Sequence, residues 1–180
     1  MAFSEIPRFT QKHRYEGFTL LEVLTSLAIA SILVTAAVPA MQDFIIRNRM
    51  STEVNTFVAS LYLARSEAVK RLRNVSLCPV KPDGDCDPTS QDWEQGWKVY
   101  YIDPPSGSEI VLQQNPALPS RFKIVGNQSV FAYDPTGQLA SAGMNGTYIF
   151  CDTDGIAQAR KVVVSSAGRV RTQVNTTGCS

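Results

Sequence analysis

Two arginines one residue apart, Arg169 and Arg171, lie in the stretch SSAGRVRTQV, residues 165–174. In an extended strand successive side chains alternate between faces, so both guanidinium groups share one face and Val170 takes the other. A guanidinium is a planar fork of donors that matches a phosphate in a way an ammonium does not. A pair of them on one edge is therefore equipped to hold successive phosphates of a polyanion. After Asp154 the chain carries Arg160, Lys161, Arg169 and Arg171 and no acid, whereas seven acids lie between Asp83 and Glu109. The plainer alternative is two solvated strand arginines paired with Asp152 or Asp154, because charge on alternate positions is ordinary on an exposed face.

Other side chains invite chemistry. Four cysteines, Cys78, Cys86, Cys151 and Cys179, permit three pairings. Proximity favours Cys78 with Cys86 across the loop PVKPDGD, and Cys151 with Cys179, which would pin the C-terminal tail to a strand. Asp83, Asp85 and Asp87 are spaced like the first ligands of a calcium loop, with Glu94 at its twelfth position, but Pro88 stands where that loop needs glycine. A solvated acidic loop closed by a disulfide is the better reading. Trp93, Trp97, Tyr100 and Tyr101 could stack on bases, yet aromatics at strand spacing are more often core.

These residues must be held by something. Phe18 to Val38 is apolar save for Glu22, and about 20 such residues at 1.5 Å each cross the hydrocarbon core of a bilayer. A secretory signal peptide would be shorter and followed by a small-residue cleavage site. Ala36, Ala37 and Ala40 imitate such a site, but Glu22 is out of place in a disposable core. Beyond Pro39, which should kink or loosen the helix, Val54, Phe57, Val58, Leu61, Ala64, Ala68 and Leu72 recur at spacings of three and four. They form one apolar stripe, with Glu53, Asn55, Ser60, Glu67, Lys70 and Arg71 elsewhere on the helix. Short β runs follow: Val75–Cys78, Trp97–Ile102, Ile110–Gln114, Phe122–Val125, Ser129–Tyr133, Thr147–Cys151, Arg160–Ser165 and Arg169–Gln173. Asp134-Pro135-Thr136-Gly137 and Asp154-Gly155 are turn signals between them.

The order glycine (Gly17), aromatic (Phe18), carboxylate (Glu22) and unbroken apolar helix resembles the class III signal of type IV pilins and the pseudopilins of type II secretion. The resemblance implies an α+β, pilin-like fold: a long N-terminal helix, membrane-spanning in its first half, packed on an antiparallel β-sheet domain. It implies cleavage by a prepilin peptidase between Gly17 and Phe18, with N-methylation of Phe18, so that residues 1–17 are a leader. Residues 18–38 would then be the membrane or filament-core helix, 39–73 its amphipathic continuation and 74–180 a β-rich globular domain. An ionisable group in a membrane segment is costly and is retained for a partner. In this superfamily the partner of Glu22 would be the N-terminal amine of a neighbouring subunit, which sets subunit register.

ARSEAVKR (64–71), the W..GW.V pattern of 93–99 and the late GRVR (168–171) resemble, more narrowly, the FimT, FimU and GspH group of minor pilins and pseudopilins. FimT-like members are associated with DNA uptake in natural transformation through a GRxR motif, which maps onto Gly168, Arg169 and Arg171. Arg160 and Lys161 join them on charge alone. FimU-like members belong to the complex that primes pilus assembly, and GspH-like members to type II secretion. The partners implied are other major and minor pilins, the prepilin peptidase, the inner membrane and DNA. The location implied is the bacterial inner membrane, with the C-terminal domain periplasmic, and then the pilus or cell surface.

Removal of the leader takes Arg8, Lys12 and Arg14 from 17 basic residues and Glu5 and Glu16 from 16 acidic ones, leaving 14 of each. It also takes His13, the one histidine. Without histidine, zinc and Ser-His-Asp or Cys-His catalysis have little to work with, and no phosphate-binding glycine motif is present. The expectation is a protein that is not an enzyme and needs no cofactor or metal.

Overall fold

The computed structural model describes residues 17–140 and 145–176. The chain forms two compact units, one ending at Met41 and one running from Gln42. Residues 1–16 of the expected leader, and Cys179, lie outside the described residues.

Helix α1 spans Leu20–Arg71 and includes Pro39 within its run, so the proline does not end the helix. Its start carries a signal that the apolar pattern conceals. The Glu22 amide donates to Thr19 Oγ1 at 3.2 Å, which makes Thr19 the N-cap and Thr19-Leu20-Leu21-Glu22 a capping-box sequence. A carboxylate in the first turn also faces the positive end of the helix dipole. In the apolar part Thr25 and Ser26 return their hydroxyls to the Glu22 carbonyl, at 3.0 and 2.7 Å. These polar side chains are thereby satisfied within their own helix, as a lipid surround requires.

The helix closes with a reversed cap. Leu72 has φ of 53°, and the Arg73 amide reaches the Ala68 carbonyl at 3.2 Å, which is the six-to-one bond of a Schellman motif. Leu72 was expected in the buried stripe. It is instead 77% exposed, because the residue that reverses the chain leaves the helical face.

From Gln42 onward α1 packs on two antiparallel sheets. The strands are β1 (Val75–Pro79), β2 (Trp97–Ile102), β3 (Glu109–Asn115), β4 (Phe122–Gly126), β5 (Phe131–Tyr133), β6 (Gly146–Asp152), β7 (Arg160–Val164) and β8 (Val170–Val174). One sheet has the order β3-β2-β1-β5 and the other β4-β6-β7-β8. The core lies between them and the helix: Met50, Val54, Phe57, Leu61, Ala64 and Ala68 are buried at spacings of four and three. Phe57 is the hub, with ring centroids 4.8 Å from Tyr148, 5.2 Å from Trp97, 5.5 Å from Phe150 and 5.6 Å from Trp93.

Ser60, expected on the outer face, is fully buried. Its hydroxyl donates to the Thr56 carbonyl at 3.0 Å and accepts from Trp97 Nε1 at 2.9 Å and Asn115 Nδ2 at 3.3 Å. A serine here satisfies an indole that the core would otherwise strand. Its position three residues after Phe57 and four before Ala64 places it on the stripe.

Candidate functional site

The second sheet carries the arginines singled out in the sequence. Strand β7 pairs with β8 in the register Val164 to Val170, Val163 to Arg171, Val162 to Thr172 and Lys161 to Gln173. Val162 and Val164 are buried, so by alternation Val163 and Lys161 face outward, and with them Arg169, Arg171 and Gln173. Arg169 and Arg171 are exposed, the first in the β7–β8 turn and the second on the edge strand β8, and they border an open recess of about 440 Å³ with Ser165, Ala167 and Val170. Neither arginine makes an ion pair among the described residues. The acids proposed as their partners are engaged by Arg121. Its Nε and Nη2 both reach Asp152 Oδ1 at 3.0 Å, and Nη2 reaches Asp154 Oδ2 at 3.2 Å.

The expected basic cluster divides. Lys161 shares the outer face with the two arginines, one outward position beyond Arg171 in the ladder. Arg160 has the parity of Val162 and Val164 and therefore turns to the helix side. There it lines a different recess, with Arg47 and Gln158.

Gly168 has a backbone role. Ser165 and Gly168 close the β7–β8 turn through a Gly168 N–H to Ser165 carbonyl bond of 2.8 Å, and the Ser165 amide bonds the Arg169 carbonyl at 2.9 Å. The three-residue loop so formed places its glycine at φ of 75°, as such hairpins require. Sequence reading did not anticipate Arg65 here: a Cβ on Gly137 would lie 3.0 Å from Arg65 Nε, and one on Gly168 3.3 Å from the same atom. The helix thus brings a third guanidinium beside the arginine-bearing turn.

The remaining candidates are placed as follows. Among the described residues nothing lies within 4 Å of where a Cβ on Gly17 would stand, and Phe18 is 78% exposed. Cys78 and Cys86 are joined as a disulfide. Cys151 is buried and disulfide-bonded, its expected partner Cys179 lying outside the described residues. The acidic loop is committed to turns: Asp87 Oδ1 accepts from the Thr89 amide and hydroxyl and from the Ser90 amide, and Glu94 pairs with Lys123 at 3.6 Å. The Thr89 hydroxyl bond leads in holding the Asp87 carboxyl below its usual range. Trp93 and Trp97 are buried in the core and cannot receive bases.

Residues 53–168 match the family model of the type II transport protein GspH. The chain belongs to the GspH family. Residues 12–38 match the prokaryotic N-terminal methylation motif, so this GspH-family chain has the processing signal and the apolar anchor of the type IV pilin and pseudopilin superfamily. Its role is that of a structural subunit, not an enzyme. Two crystal structures of the Pseudomonas aeruginosa (strain PAO1) type IV minor pilin FimU share the fold at 22% identity. One, in space group P21, has a TM-score of 0.59 and covers 76% of this chain and 99% of its own. The other, in P65, has a TM-score of 0.53 and covers 73% and 98%. No curated protein matches the chain.

Proposed function

We propose that this GspH-family pilin is a minor type IV pilin that contributes to pilus assembly and binds extracellular DNA for natural transformation. The observation that carries the DNA reading is a pair of exposed arginines, Arg169 at the turn and Arg171 on the edge strand, that make no ion pair among the described residues, with Lys161 on the same face. Unpaired arginines need shed no internal carboxylate before meeting a phosphate. Contacts of this kind position a duplex and carry no base information, so binding is largely indifferent to sequence. Gly168 belongs to the motif as the hinge of the turn.

In the same reading a prepilin peptidase cuts after Gly17, Phe18 is methylated, and Glu22 meets the amine of the next subunit while the globular domain lies on the periplasmic side of the inner membrane. A second reading, a priming or type II transport subunit without DNA binding, draws on the family match. It needs only contacts to other pilins.

Full-length chain in nonionic detergent, titrated with fluorescent duplex DNA over a salt series, separates the two. Two or three phosphate contacts give a slope of log K against log salt of about −2 to −3. The Arg169→Gln/Arg171→Gln variant should lose most of that affinity with its melting temperature unchanged. Equal binding by both proteins, or none at low salt, leaves the subunit role alone.

A further inference from the structure

The recess that takes Arg160 lies far along the ladder from the β7–β8 turn and is built differently. It has a volume of about 550 Å³ and is lined by Arg47, Asn48 and Ser51 of α1 together with Gln158 and Arg160, over a floor of buried Met50 and Ala157. None of its lining residues is an acid. Arg47 and Arg160 make no ion pair among the described residues, Asp43 on the same helix included. Asp152 and Asp154, in the chain just before Gly155, are held by Arg121. The recess therefore offers two uncompensated guanidinium groups and two amide side chains, a donor set suited to a phosphate oxyanion.

The side chains ahead of it on α1 bear on where such a phosphate would come from. On α1, directly ahead of Arg47, Phe44 is 60% and Ile45 44% exposed. Exposed apolar side chains followed within one helical turn by a guanidinium form the pattern of a membrane interface, where the apolar groups enter the acyl boundary and the cation meets the headgroups. A free phosphate needs the arginines and has no use for Phe44 or Ile45.

We propose that this recess receives the phosphodiester of an anionic phospholipid headgroup, held by Arg47 and Arg160 with Asn48 and Gln158 as amide donors. The bound headgroup ties the chain around Arg47 to the bilayer surface before the subunit leaves the membrane. The site is independent of the DNA reading, which uses the outer face of the same sheet.

The test is native mass spectrometry of the full chain in nonionic detergent micelles with added phosphatidylglycerol or phosphatidylcholine. Wild type should retain phosphatidylglycerol roughly tenfold better, in line with two basic side chains at an anionic surface. Arg47→Gln/Arg160→Gln should bring retention down to the phosphatidylcholine level. Gln158→Glu, an exposed change that places a negative charge in the recess without touching the core, should do the same. Arg169→Gln/Arg171→Gln should leave retention unchanged. Equal retention of the two lipids, or indifference to both recess variants, overturns the proposal. So does displacement of phosphatidylglycerol by an equal concentration of inorganic phosphate, since the site would then be a free-anion site.

Discussion

Gly168 and Gly137 meet so closely that a Cβ on Gly168 would stand 2.1 Å from the Gly137 carbonyl oxygen. The obstacle is backbone, which cannot swing aside, and the φ of 75° at Gly168 is itself costly for any residue with a side chain. Gly168→Ala should therefore destabilise the protein by about 2 kcal/mol or more, measured by urea unfolding. Arg169→Gln and Arg171→Gln, at exposed positions, should stay within about 0.5 kcal/mol of wild type. A DNA-binding loss in the glycine variant would report folding, and only the arginine variants report contact.

Leu72 occupies the left-handed position of the helix cap at φ of 53° while 77% exposed. It gains little from burial and bears the steric cost of that conformation. Leu72→Gly should stabilise the protein by about 1 kcal/mol, seen as a raised denaturation midpoint at constant m-value.

Removal of the Ser60 hydroxyl would leave Trp97 Nε1 and Asn115 Nδ2 without the acceptor they share. Ser60→Ala should cost about 1–3 kcal/mol, the penalty of buried donors left unpaired. Ser60→Thr keeps the oxygen and should recover part of it. Paired urea melts of the three proteins check both statements.

Asp152 is buried. Burial alone would raise its carboxyl, but hydrogen bonds from the Ala157 amide, Arg121 and the Asp154 amide outweigh burial and lower it below the ordinary range. A carboxyl lowered on folding contributes stability that is complete above its unfolded value, about 4, and is lost as pH falls through the lower folded value. Stability should drop from about pH 5 downward. Asp152→Asn should flatten that acid limb while lowering stability at pH 7, as thermal melts across pH 2–7 would show.

Much of this was legible in the chain, because each strand announces itself by alternation and by the turn residues around it. Trp97–Ile102 has the bounds the pattern gives, and most other strands differ by a residue at an end. β5 is shorter, starting at Phe131 rather than Ser129, and β8 starts at Val170 because Arg169 still belongs to the bulged turn. The parity of Arg169 and Arg171 survives that shift, since faces depend on alternation and not on where pairing begins. The same alternation, read from Val162 and Val164, places Arg160 inward; counting charge without parity had grouped it with Lys161. The division into two sheets was not legible, because it depends on which distant strands pair. Nor was the use of Asp152 and Asp154 by Arg121, which joins residues about 30 positions apart in the chain.

Helix α1 is capped at Thr19, so a cut after Gly17 would leave a single residue, Phe18, ahead of the cap. A subunit so processed would have no floppy leading tail. Its new terminal charge would ride on the first turn of the helix, its position fixed by the depth and rotation of that turn. The conformational entropy that a flexible terminus would surrender on docking has then been given up before any neighbour arrives.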